Sequence, residues 1–80
     1  MPSRMIIAVL RKQFPQVTFD EADNTLGVNS FPEWDSLAHF NFMMSLEEAF
    51  AVRFSLDEMA ELKSIKEIAV ALSSRGIVVT

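Results

Sequence analysis

The segment from Asp35 to Phe50, DSLAHFNFMMSLEEAF, decides the fold. It holds neither glycine nor proline and is rich in Leu, Met, Ala and Glu, residues that lose little on entering a helix. The expected element is a helix from Ser36 to about Ala51, with Asp35 as its N-cap and Ser36 as its first residue, about 24 Å long at 1.5 Å per residue. On a wheel of about 100° per residue, Phe42, Met43, Leu46 and Phe50 share one stripe with His39 at its upstream end, and this is the expected core face. Leu37, Phe40 and Met44 form a second apolar stripe, bordered by Asn41, Glu47 and Glu48. Either the rest of the chain covers that stripe, or it is a docking patch where carboxylates steer a basic-rimmed partner and apolar contact holds it.

Working outward, Ile6, Ile7, Leu10 and Phe14 recur at helical spacing, which predicts an amphipathic helix from Arg4 to Phe14 stopped by Pro15. Residues 16–34 show no sustained period and contain Asn24, Gly27, Asn29, Ser30 and Pro32. They form one long loop, and the spaced hydrophobes Val17, Phe19, Leu26, Val28 and Phe31 predict that it lies packed on the helices. Downstream, Ser55 and Glu58 have capping-box spacing and open a short helix through about Leu62. Ser64 and Glu67 repeat the spacing ahead of a last helix from Ile65 to about Ser74, with Gly76 as its C-cap and a short apolar tail from Ile77 to Thr80. The expected fold is all-α: a small four-helix bundle with a long first loop and a short third helix, residues 1–80 forming a single domain.

Composition narrows the function. Seven Lys+Arg against eleven Asp+Glu give a formal net charge of −4. No basic cluster exceeds the Arg11-Lys12 pair, which argues against nucleic acid as a ligand. The longest apolar run, Met5 to Leu10, is too short for a membrane span, so a cytoplasmic monomer is the expectation. With no Cys and one His, the chain has no residues for a disulfide framework, a His/Cys zinc site or a cysteine nucleophile. Any thiol chemistry requires an imported thiol.

Ser36 is the residue whose position carries chemistry. At a helix start its hydroxyl points to solvent, where backbone N–H groups and the positive end of the helix dipole favour an attached anion such as a phosphodiester. Asp-Ser-Leu by itself is also ordinary capping. Asp35, Ser36 and His39 are spaced as a compact hydrolase triad could be, but His39 turns toward the core stripe and no Gly-x-Ser-x-Gly elbow is present. The chain is therefore expected not to be an enzyme. Asp57, Glu58 and Glu61 read as a solvated helix face rather than a metal loop.

Several features together resemble the acyl and peptidyl carrier proteins that bear phosphopantetheine. They are Asp35-Ser36-Leu37 opening a helix, Leu46-Glu47-Glu48-Ala49-Phe50 and then Phe54, Leu56-Asp57-Glu58-Met59 as a short third helix, and Leu62 to Ile68 leading into the last. The resemblance covers nearly the whole chain and is strongest from Glu33 to Leu72. It implies that a phosphopantetheinyl transferase attaches 4′-phosphopantetheine from coenzyme A to Ser36, with Asp35 and Leu37 beside the arm. Acyl, polyketide or aminoacyl cargo then rides as a thioester, delivered to loading and processing enzymes. By the same resemblance Leu37, Met44, Glu47 and Glu48 form the surface those partners read, and Phe40 and Asn41, on the same stripe and its border, complete the expected surface.

The chain also departs from the carriers of fatty-acid synthesis. They usually have Gly-Ala or Gly-Gly before the Asp-Ser pair, where this chain has Glu33-Trp34, and acids where it has Ala38 and Asn41. A dedicated carrier of a specialised pathway fits better. Trp34 is placed either against the arm or tucked onto Phe31 and the core. The alternative function is a carrier-like module that docks a partner without being modified.

Overall fold

The computed structural model describes residues 4–21, 23 and 25–77. Four helices follow one another: α1 (Arg4–Gln13), α2 (Ser36–Phe50), α3 (Leu56–Glu61) and α4 (Ile65–Ser74). No strand occurs among the described residues, and the architecture is the expected small all-α bundle. The expected tail beyond Ile77, and Asn24 within the loop, lie outside the described residues.

Local chemistry sets the helix ends. The Asp35 carboxylate accepts the Ala38 N–H at 2.9 Å, satisfying one of the unpaired donors of the first turn of α2. At its far end Ala51 takes the left-handed conformation, φ 55°, and both its N–H and that of Val52 turn back to the Glu47 carbonyl. The α3 capping box is complete: the Glu58 N–H donates to Ser55 Oγ at 3.1 Å and the Ser55 N–H donates to the Glu58 carboxylate at 2.9 Å. The second box is only half built. Glu67 N–H donates to Ser64 Oγ, but the Glu67 carboxylate takes the Ser64 hydroxyl rather than a backbone N–H. Gly76, φ 81°, ends α4 with its N–H on the Ser73 carbonyl and the next N–H, of Ile77, on that of Leu72, which is the Schellman arrangement.

The core is one continuous apolar cluster. α1 contributes Ile6, Ile7 and Leu10 and packs along α2, which contributes Phe42, Met43 and Leu46. Met59 of α3 and Ile65, Ile68 and Leu72 of α4 close the other sides. Phe50, expected on the same stripe, is half-buried at the margin. The long loop is packed as its hydrophobes predict. Leu26 is buried, and Phe14, Phe31 and Trp34 form an aromatic group with ring centroids 5.0–5.6 Å apart.

The loop is also tied down through its backbone. The Val28 N–H donates to the Lys63 carbonyl and the Ile65 N–H to the Leu26 carbonyl, both at 2.9 Å, around an antiparallel bridge between Gly27 and Ser64. A side chain at Gly27 would place its Cβ 2.2 Å from the Lys63 carbonyl oxygen, so only glycine allows this approach. The α3–α4 connection and the loop before α2 are thereby held together beside the start of α2. None of the helices of the described residues is long and apolar enough to cross a membrane.

Candidate functional site

Ser36 stands at the start of α2 as expected, exposed, with no hydrogen-bond partner for its hydroxyl among the described residues. Asp35, also exposed, spends its carboxylate on the cap. Leu37 is 72% exposed and points away from the core. Beside Ser36 runs a groove of about 320 Å³. Phe40 forms its α2 wall, Met59 and Ala60 of α3 face it, and Val28 lines it from the loop. Its polar groups are Ser36 itself, Asn29 and Lys63. The groove is therefore a partly apolar trough with a free hydroxyl on its rim.

Trp34 is not beside any solvent-borne arm. It is fully buried, packed edge-on against Phe42 at 5.5 Å and tilted against Phe14 and Phe31. Of the two placements expected for it, the one on Phe31 and the core is found, and the cofactor-contact role is corrected: an indole with no accessible surface contacts only the core. Its N–H donates to His39 Nδ1 at 3.0 Å, satisfying the one polar atom it carries inside.

His39 is buried, 4% exposed, and its Nε2 lies 2.8 Å from the Leu62 carbonyl oxygen. An indole N–H can only donate and a carbonyl can only accept, so Nδ1 is bare and Nε2 carries the proton. Both ring nitrogens are thereby engaged. Burial lowers the His39 pKa below its ordinary 6.5, and the nearby Lys63 charge acts in the same direction against the accepting Leu62 carbonyl. The geometry makes His39 a cross-link between the loop, α2 and the α3–α4 connection, and leaves neither nitrogen free for Ser36.

The second apolar stripe of α2 divides. Phe40, 36% exposed, turns into the groove beside Ser36, while Met44, 50% exposed, borders a separate hollow with Glu48, Val52 and Arg53. Asn41 is exposed, and its backbone carbonyl accepts the Ser45 hydroxyl. Glu47 differs from the expected surface acid: it is half-buried and accepts the Phe54 N–H at 2.7 Å, pinning the chain that leaves α2. The acidic group free on this face is Glu48.

Sequence reasoning passed over Lys63, Asn29 and Met59 as groove residues, because the loop pairing that brings them to Ser36 is a tertiary contact. It also passed over the Trp34–His39 bond. Trp34 and His39 each stand out singly in the sequence, but the five-residue separation across a cap is not a helical neighbour spacing. Among the described residues no three His, Asp or Glu side chains group as metal ligands would. No family model matches the chain, and no curated protein or solved structure does.

Proposed function

We propose that this protein is a carrier whose Ser36 hydroxyl is the attachment point for 4′-phosphopantetheine. The observation that supports it is the exposed, unpartnered Ser36 hydroxyl at the start of α2, at the rim of a trough about 320 Å³ in volume. A hydroxyl already committed to a cap would have to break a bond to react. Here Asp35 fills the cap, and Ser36 is left to act as the nucleophile toward the pyrophosphate of coenzyme A within a transferase. The Ser36 oxygen forms a new bond to phosphorus, the phosphoanhydride breaks, the adenosine bisphosphate leaves, and the hydroxyl proton passes to the transferase or solvent. The attached group supplies a terminal thiol that holds acyl, polyketide or aminoacyl cargo as a thioester, chemistry for which the cysteine-free chain has no residue of its own.

The residues fit such a group. The N-terminal end of α2 favours the phosphodiester charge, and the trough beside Ser36 offers Asn29 and Lys63 as polar neighbours and Phe40 and Met59 as apolar ones. Tethering keeps the cargo at high effective concentration for each partner while the chemistry stays with the partner. Leu37, Asn41, Met44 and Glu48 supply the exposed surface for transferase, loading and processing enzymes. Glu33-Trp34 before the attachment pair and the uncharged Ala38 and Asn41 favour a specialised pathway over general fatty-acid synthesis.

The test is transfer of a fluorescent coenzyme A analogue by a broad-specificity phosphopantetheinyl transferase. Labelled wild-type protein and unlabelled Ser36→Ala are expected. Failure of the wild type to label, beside a control carrier that does, would favour a docking module that is never modified.

A further inference from the structure

The buried imidazole of His39 is bonded on one side to the loop before α2 and on the other to the end of α3, two segments that border the groove. Through Nδ1 it holds Trp34, the residue immediately before the Asp35-Ser36 pair, and through Nε2 it holds the Leu62 carbonyl, immediately before Lys63. The same ring lines the groove with Ser36 and Phe40. The Trp34 turn is in turn bonded to the loop: the Asn29 N–H donates to the Trp34 carbonyl at 2.8 Å and the Trp34 N–H to that of Phe31 at 3.0 Å. One side chain thus links the turn that presents Ser36 to the opposite groove wall.

We propose that His39 is a proton-operated latch, which in its neutral form clamps the Trp34 turn to the α3–α4 connection and on taking a second proton lets the Trp34 turn go. The reason lies in donor and acceptor roles. A proton on Nδ1 turns the acceptor of the indole N–H into a donor, and two donors then face each other in a buried site. The Nε2–H bond to the Leu62 carbonyl survives and is strengthened by the charge. The release is therefore one-sided: the ring stays with the α3–α4 connection and the loop side opens. The surroundings keep the latch closed at neutral pH. Trp34 and Phe42 pack on the ring, Lys63 on the α3–α4 connection opposes a positive charge, and Met59 and Ala60, which α3 presents to the groove, carry none. Asp35, one turn before on the same side of the chain, has its carboxylate on the Ala38 N–H.

The molecule reports on itself, because it has one Trp, one His and no Tyr. The experiment follows Trp34 fluorescence and the His39 ring resonances of the unmodified chain from about pH 7.5 to 5, above the ordinary carboxylate range. Both are expected to trace one shared single-proton curve with its midpoint below 6.5, and the Asn29 amide to lose about tenfold in exchange protection over the same range. His39→Phe, which keeps a ring and removes the proton, is expected to be flat. A Trp34 signal and Asn29 protection that stay constant while His39 titrates overturn the latch, as does an unchanged transition in His39→Phe. The comparison within the wild type stands even if that variant does not fold. Since Ser36 is unmodified throughout, the outcome is independent of the carrier reading.

Discussion

The indole N–H of Trp34 and Nδ1 of His39 meet at 3.0 Å in a buried bond, joining a loop residue to α2 and fixing the imidazole tautomer. Stability must then depend on pH in a definite direction. Burial, aided by Lys63, lowers the His39 pKa in the folded chain below its ordinary 6.5, so between those two values the unfolded chain binds the extra proton. The contribution is complete above 6.5 and is lost as pH falls toward the folded value. Urea denaturation at about pH 5.5 is expected to give a lower midpoint than at about pH 7.5, with the difference absent in His39→Phe. The lowered carboxylates of Asp23 and Glu58 act only further down, below their ordinary 3.8 and 4.5.

Asp35 and Ser36 are adjacent and separable. Asp35→Ala removes the acceptor of the Ala38 N–H and is expected to cost about 0.5–2 kcal/mol. Ser36→Ala removes an exposed hydroxyl with no partner and is expected to change stability by less than about 0.5 kcal/mol while abolishing labelling. Chemical denaturation of the two variants beside the transferase assay checks both.

Backbone demands differ at Gly27 and Ala51. Gly27→Ala drives a methyl into the Lys63 carbonyl and is expected to cost about 1–3 kcal/mol by forcing the loop off the α3–α4 connection. Ala51→Gly relieves an alanine held at φ 55° and is expected to stabilise by about 0.5–1 kcal/mol. Thermal melts of both would register opposite shifts.

Met44 is half-exposed on the outer face of α2. Met44→Glu is expected to leave the melting temperature within a few degrees while slowing transfer of the label or weakening partner capture. A large fall in melting temperature would place Met44 in the core instead.

The helices were legible because their signals are local: the Ser55–Glu58 box, the Asp35 cap and Gly76 each act within four residues. The stripe of Phe42, Met43 and Leu46 named the buried face for the same reason. The position of Ser36 was legible too. What lay beyond the sequence was set by contacts between distant segments. The bridge between Gly27 and Ser64 ties the loop to the α3–α4 connection, and Lys63 lines one groove with Ser36. The sequence leaves Trp34 two places, against the arm or on Phe31 and the core, and the hole between Phe14, Phe31 and Phe42 is the one its ring fills. Glu47 looked like a surface acid, yet the left-handed turn at Ala51 brings the Phe54 N–H back within its reach.

The central claim is that Ser36 is a covalent attachment point, and the most direct measurement is the intact mass of the chain coexpressed with a phosphopantetheinyl transferase, followed by fragmentation. The account expects one phosphopantetheine per chain, located on Ser36 and absent from Ser36→Ala. An unmodified wild-type chain, under conditions that convert a control carrier, or an adduct on any other residue, would contradict it.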